Sequence, residues 1–151
     1  MNRAAALCSA SEQAPGDIRD KLMRWGLTPH QATDVLNRLI DEGFIDERRY
    51  ARAFVNDRFN FNGWGRVKIA YQLRHKGIAP DVISQALTAI DEQQYREQLM
   101  ELLRAKWRDV SNREPRAAWA AMMRFAASRG FEAAVAVDCV KQITSIDDQD
   151  D

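Results

Sequence analysis

Three glycines, Gly26, Gly77 and Gly130, stand 51 and 53 residues apart, and the same apolar positions recur around each. Eight residues before them sit Ile18, Ile69 and Met122, and four before come Leu22, Leu73 and Ala126. One residue after come Leu27, Ile78 and Phe131; six after, Ala32, Ile83 and Ala136; nine after, Val35, Ala86 and Cys139. Ten after come Leu36, Leu87 and Val140, and thirteen after, Leu39, Ile90 and Ile143. The later offsets trace one face of an α-helix at 3.6 residues per turn. The earlier two mark a helix that ends at the glycine, which suits a left-handed C-terminal cap. Each unit therefore holds a helix, a glycine stop and a second helix, and the chain is a repeat.

A further helix precedes each pair. In the middle unit it spans Asp46 to about Phe59, with Tyr50, Ala51, Phe54 and Val55 as its apolar side. Asp46 is placed to cap it and Glu47 to favour the helix dipole. The last unit repeats this opening as Asp91-Glu92-Gln93-Gln94-Tyr95, and Tyr95, Leu99, Leu102, Leu103 and Trp107 form its buried stripe. Its next helix runs from Pro115 to Ser128, with the proline at the first turn. In the first unit the opening helix is short and Ala-rich, about Asn2 to Glu12, closed by Pro15-Gly16. No stretch alternates with the period of a strand. The expectation is an all-α chain of three tandem three-helix repeats forming an elongated, curved array. Their bounds are 1–45, 46–90 and 91–146, followed by an acidic tail, 147–151, expected to be disordered.

Catalytic and cofactor signatures are absent from the sequence. Gly63-Trp64-Gly65 lacks the GK[ST] of a phosphate loop, and His30 and His75 have no metal-ligand spacing. Cys8 and Cys139 form no CxxC pair. The paired acids Asp41-Glu42, Asp46-Glu47 and Asp91-Glu92 fall at helix junctions, where capping and dipole effects account for them. The chain is expected not to be an enzyme and to need no cofactor or metal. No apolar run approaches the roughly 20 residues that span a bilayer, and the opening MNRAAALCSASEQ lacks the apolar core of a leader. A cytoplasmic monomer without membrane attachment is expected.

Charge is unevenly distributed. From Asp46 to Gly77, eight lysines and arginines face three acids, a net of +5 with His75 neutral, in a chain whose total is zero. A separation of this kind suits a polyanion or an acidic protein groove as partner. The helix–glycine–helix spacing is also that of a DNA-reading helix-turn-helix, so a helical DNA-binding protein is the alternative reading. The helices that would read a groove begin TPHQATD, APDVISQ and FEAAVAV, however, and are poor in basic residues.

The stretch FIDERRYARAFVNDRFNFNGWGRVKIAYQLRHKGIAPDVISQAL, Phe44 to Leu87, resembles the RecX family, regulators of the RecA recombinase. The likeness lies in Ile45-Asp46-Glu47, Tyr50-Ala51, Gly65-Arg66, Leu73 and Lys76-Gly77-Ile78, with Arg129-Gly130-Phe131 as the third stop. Glu47 in place of a second Asp, Gln72 in place of a Glu and the brief opening helix depart from the family pattern. The resemblance implies a non-enzymatic modulator in DNA repair, recombination and the SOS response. It would bind in the groove of the RecA filament on DNA and limit strand exchange, ATPase and coprotease activity. Single- or double-stranded DNA is the second candidate partner. On that reading the contact residues are Arg48, Arg49, Arg52, Arg58, Arg66, Lys68, Arg74 and Lys76, with Trp64 as the aromatic of the turn.

Overall fold

The computed structural model describes residues 2–10 and 13–150. Among these residues the regular structure is all helical: α1 (Asn2–Ala10), α2 (Pro15–Arg24), α3 (Pro29–Asp41), α4 (Glu47–Asn60), α5 (Arg66–His75), α6 (Pro80–Leu87), α7 (Glu92–Val110), α8 (Pro115–Ser128) and α9 (Ala133–Asp150). The expected end of the first helix at Glu12 lies outside the described residues. The chain forms two compact units, 1–55 with 70–89 and 56–69 with 90–151, whose boundary falls within α4 and α5.

Local chemistry sets the helix ends. All four prolines occupy the first turn of a helix, at α2, α3, α6 and α8, where the missing N–H costs no intrahelical bond. Asp46 accepts from the backbone N–H groups of Arg48 and Arg49 at 3.1 and 3.2 Å, and Asp91 from that of Gln94 at 3.0 Å. Thr28 and Gln31 close a reciprocal capping box on α3. At the other ends Gly26, Gly77 and Gly130 take φ of 102°, 84° and 92°. Across each glycine the next residue donates to the carbonyl five back: Leu27 to Leu22 at 3.2 Å, Ile78 to Leu73 at 3.1 Å, Phe131 to Ala126 at 3.0 Å. These are three copies of one Schellman stop, made by the apolar positions that repeat in the sequence.

The glycines also serve a second purpose. The N–H of Gly16, at the start of α2, donates to the carbonyl of Lys76 at 2.7 Å, just before the stop at Gly77. The N–H of Gly65, just before α5, donates to the carbonyl of Arg129 at 2.7 Å, just before the stop at Gly130. Val67 adds a bond to the Gly130 carbonyl at 2.9 Å. A Cβ at Gly16 would lie 2.7 Å from the Lys76 oxygen, and one at Gly65 2.4 Å from the Gly130 oxygen. In each case the second helix of one repeat starts on the cap of the second helix of the next, backbone against backbone.

In the first unit the core includes Ala4, Cys8, Ile18, Leu22, Ala32, Leu39 and Ile45, with Trp25, Leu27, Val35 and Leu36 packed against it. In the second, α7, α8 and α9 pack on one another. Tyr95 lies fully buried there between Phe59 and Phe131, with ring centroids at 5.9 and 5.0 Å. The structure corrects the sequence reading at several points. Leu27, Val35, Leu36, Leu87, Ile90, Tyr50, Leu102 and Trp107 are only half-buried, whereas Met100 and Val110 join the core. α7 meets both α8 and α9, which turns its buried face away from Leu102 and Trp107. Residues 147–150 of the tail expected to be disordered continue α9 as helix, since neither proline nor glycine interrupts it after Ile146, and Asp151 lies outside the described residues.

Candidate partner-binding surface

In the first unit, the early turns of α4 project Arg48, Arg49 and Arg52 to solvent, and Arg74 is exposed near the end of α5. Arg48 hydrogen-bonds the Gln85 carboxamide on α6 and lies 4.0 Å from Asp81. Arg49 stays near its own cap, 3.9 Å from Asp46. Arg48 and Arg52 together line a cavity of about 220 Å³ over Val82, Gln85 and Ala86. Lys76 is drawn inward: its ammonium pairs with Asp17 at 2.9 Å, beside the backbone joint at Gly16.

In the second unit the turn after α4 holds Trp64 between two cations. The Arg58 guanidinium carbon lies 5.2 Å and the Lys68 ammonium 4.5 Å from its ring centroid. Phe61, in the same turn, is 83% exposed. Sequence reasoning passed over Phe61, although an aromatic between Asn60 and Asn62 in a non-helical turn has few core neighbours to meet.

Arg66 occupies a different environment from the other cations. Its guanidinium pairs with Glu92 at 2.9 Å and Glu132 at 3.4 Å, and packs on the Tyr95 ring at 3.9 Å. Its backbone N–H donates to the Tyr95 hydroxyl at 3.0 Å, and that hydroxyl donates to Glu132. Burial works against the Arg66 charge, but the Glu92 hydrogen bond and the nearby carboxylates outweigh it and raise its pKa. Burial, then the bond to Glu132, pushes the Tyr95 phenol well above its ordinary value. Burial also raises the Cys139 thiol, which disfavours the reactive thiolate. The Arg66 charge is therefore paired inside the fold, as is that of Lys76. Arg52 and Arg74 remain the exposed cations of the expected set with no acidic partner among the described residues.

Among the described residues no group of three His, Cys, Asp or Glu side chains could hold a metal ion. None of their helices is long and apolar enough to cross a membrane. His30 pairs with Asp34 at 3.4 Å on an exposed face, and His75 meets the Tyr71 ring at 4.4 Å.

The fold and surface define an all-α protein of tandem three-helix repeats with a basic, aromatic-bearing middle section. Family models of the second and third three-helix domains of RecX match residues 46–87 and 92–140. The chain is 30% identical over 138 residues to the regulatory protein RecX of Mycobacterium sp. (strain KMS), spanning 89% of this chain and 75% of that one. It is also 30% identical over 131 residues to regulatory protein RecX of Deinococcus radiodurans, spanning 86% of this chain and 61% of the relative. A crystal structure of RecX from Lactobacillus salivarius shares the fold with a TM-score of 0.82 at 20% identity, covering 95% of this chain and 93% of its own. The protein belongs to the RecX family.

Proposed function

We propose that the protein regulates the RecA recombinase by binding its filament on single-stranded DNA and restraining it. Family membership carries the reading, and its relatives are named regulatory proteins rather than enzymes. The concentration of positive charge in the middle repeat supports it, because a nucleoprotein filament offers phosphates and acidic side chains. Arg48, Arg49, Arg52, Arg58, Lys68 and Arg74, with Trp64 and Phe61, are the proposed contacts. Arg66 and Lys76, paired with Glu92 and Glu132 and with Asp17 inside their own units, are left out of the proposed contacts. Aromatic and arginine side chains are the residue types most often dominant at interfaces.

The test is a titration of the purified protein into recombinase assembled on single-stranded DNA. The DNA-dependent ATPase should fall, and the protein should co-sediment with the filaments while hydrolysing no ATP itself. An ATPase unchanged over a wide range of ratios would overturn the proposal.

A further inference from the structure

The first repeat holds a second basic and aromatic feature, separate from the middle section. α1 and α2 frame a cavity of about 480 Å³ lined by Arg3, Ala6, Leu7, Lys21, Arg24 and Trp25. Half of this lining is cationic and none of it is acidic. Among the described residues none of the three cations forms an ion pair. The helix dipole accounts for Lys21 and Arg24, which lie in the last turn of α2. It does not account for Arg3, which reaches over from α1 and stacks its guanidinium 4.0 Å from the centroid of the Trp25 ring.

Trp25 packs one part of its surface on the core of this unit and is only half-buried. The ring is thus held in place while its open side carries a planar cation. A planar, electron-poor group is what an indole face accepts. A nucleobase is planar too, and stacking on an aromatic ring is tolerant of which base it is. Lys21 and Arg24 are neighbours on the helix surface at a spacing of three residues, so both can meet phosphates of one strand. A duplex keeps its base faces stacked inside, and an acidic peptide would satisfy the cations without using the ring. Single-stranded nucleic acid uses both.

We propose that this cavity is a subsite for single-stranded nucleic acid. One base stacks on Trp25 in exchange with Arg3, and Lys21 and Arg24 hold the flanking phosphates. The proposal goes beyond the recombinase reading and does not rest on it, so its test contains no recombinase.

The experiment measures fluorescence anisotropy of a labelled oligothymidylate and of an abasic strand of the same length and charge. The wild-type chain should prefer oligothymidylate by about tenfold, the effect of stacking one base. Trp25→Ala should erase the preference, and Trp25→Phe should keep most of it. Lys21→Ala with Arg24→Ala should weaken both strands and lower the log–log salt slope by roughly 0.7 for each phosphate no longer neutralised. Circular dichroism checks that the variants stay helical. If Trp25→Ala does not fold, Trp25→Phe and the salt slope of the double variant decide. Equal wild-type affinity for the two strands would overturn the proposal. So would a base preference that survives Trp25→Ala in a folded variant. Displacement of oligothymidylate by polyglutamate at equal charge concentration would assign the cavity to an acidic protein segment instead.

Discussion

Gly26 and Gly130 adopt the same left-handed turn, at φ of 102° and 92°, yet alanine should be tolerated at one and not at the other. A Cβ on Gly26 meets nothing within 4 Å, so Gly26→Ala should cost only the backbone strain, about 1–2 kcal/mol. A Cβ on Gly130 would lie 2.2 Å from the Lys68 Cβ and 2.7 Å from its backbone nitrogen. Gly130→Ala must therefore move α5 as well, and its urea midpoint should fall at least twice as far. Tyr95 offers a second check. With its phenol raised above the usual 10, the folded chain keeps a proton that the unfolded chain sheds from about pH 10 upward. Stability should decline as pH rises past 10. Urea midpoints at about pH 8 and pH 10.5 should differ less in Tyr95→Phe than in wild type. At this scale the sequence disclosed charges but not partners. Arg66 reads as one more cation in a basic run, because Glu92 and Glu132 lie far along the chain and only folding brings them to it.

Helix boundaries were the most legible feature, because they depend on neighbours a few residues away. Capping aspartates, the first-turn Pro115 and the stops at Gly26, Gly77 and Gly130 act locally, and the structure places each where the sequence reading did, whereas Pro15, read as closing the first helix, opens α2. Asp91→Ala should remove the bond to the Gln94 N–H and cost about 1 kcal/mol in chemical denaturation, while Asp91→Asn should restore most of it. Burial was less legible. The stripe of α7 was displaced from Leu102 and Trp107 to Met100 and Val110, because periodicity gives the width of an apolar face but not the number of helices packed on it. The backbone joints at Gly16 and Gly65 were invisible for a related reason. A glycine before a helix reads as a turn, and the carbonyl that excludes its Cβ belongs to a segment some 60 residues away.

For the molecule as a whole, the structure separates two kinds of cation that net charge treats alike. Arg52→Glu with Arg74→Glu reverses two exposed charges that have no acidic partner among the described residues. This pair should leave the circular dichroism and melting temperature near wild type and weaken inhibition of the recombinase ATPase severalfold. Arg66→Glu should do the reverse at the level of stability. It sets a carboxylate against Glu92 and Glu132 and should cost on the order of 1–3 kcal/mol, the partly exposed pairs being screened. Unchanged inhibition by the Arg52 and Arg74 variant would remove those two residues from the contact surface.

The glycine joint bears on how such a chain could have grown. The middle repeat carries a plug at the front of its second helix and a socket at the back of it, and both are made of main chain. The bond asks nothing of side chains except that two of them be missing. A segment copied in tandem would thus carry its own connector and fit its duplicate at once, before any surface had adapted. Afterwards the paired glycines could change only together, while almost everything between them was free to diverge. That would leave a lineage in which the spacing of glycines persists longer than the residues around it.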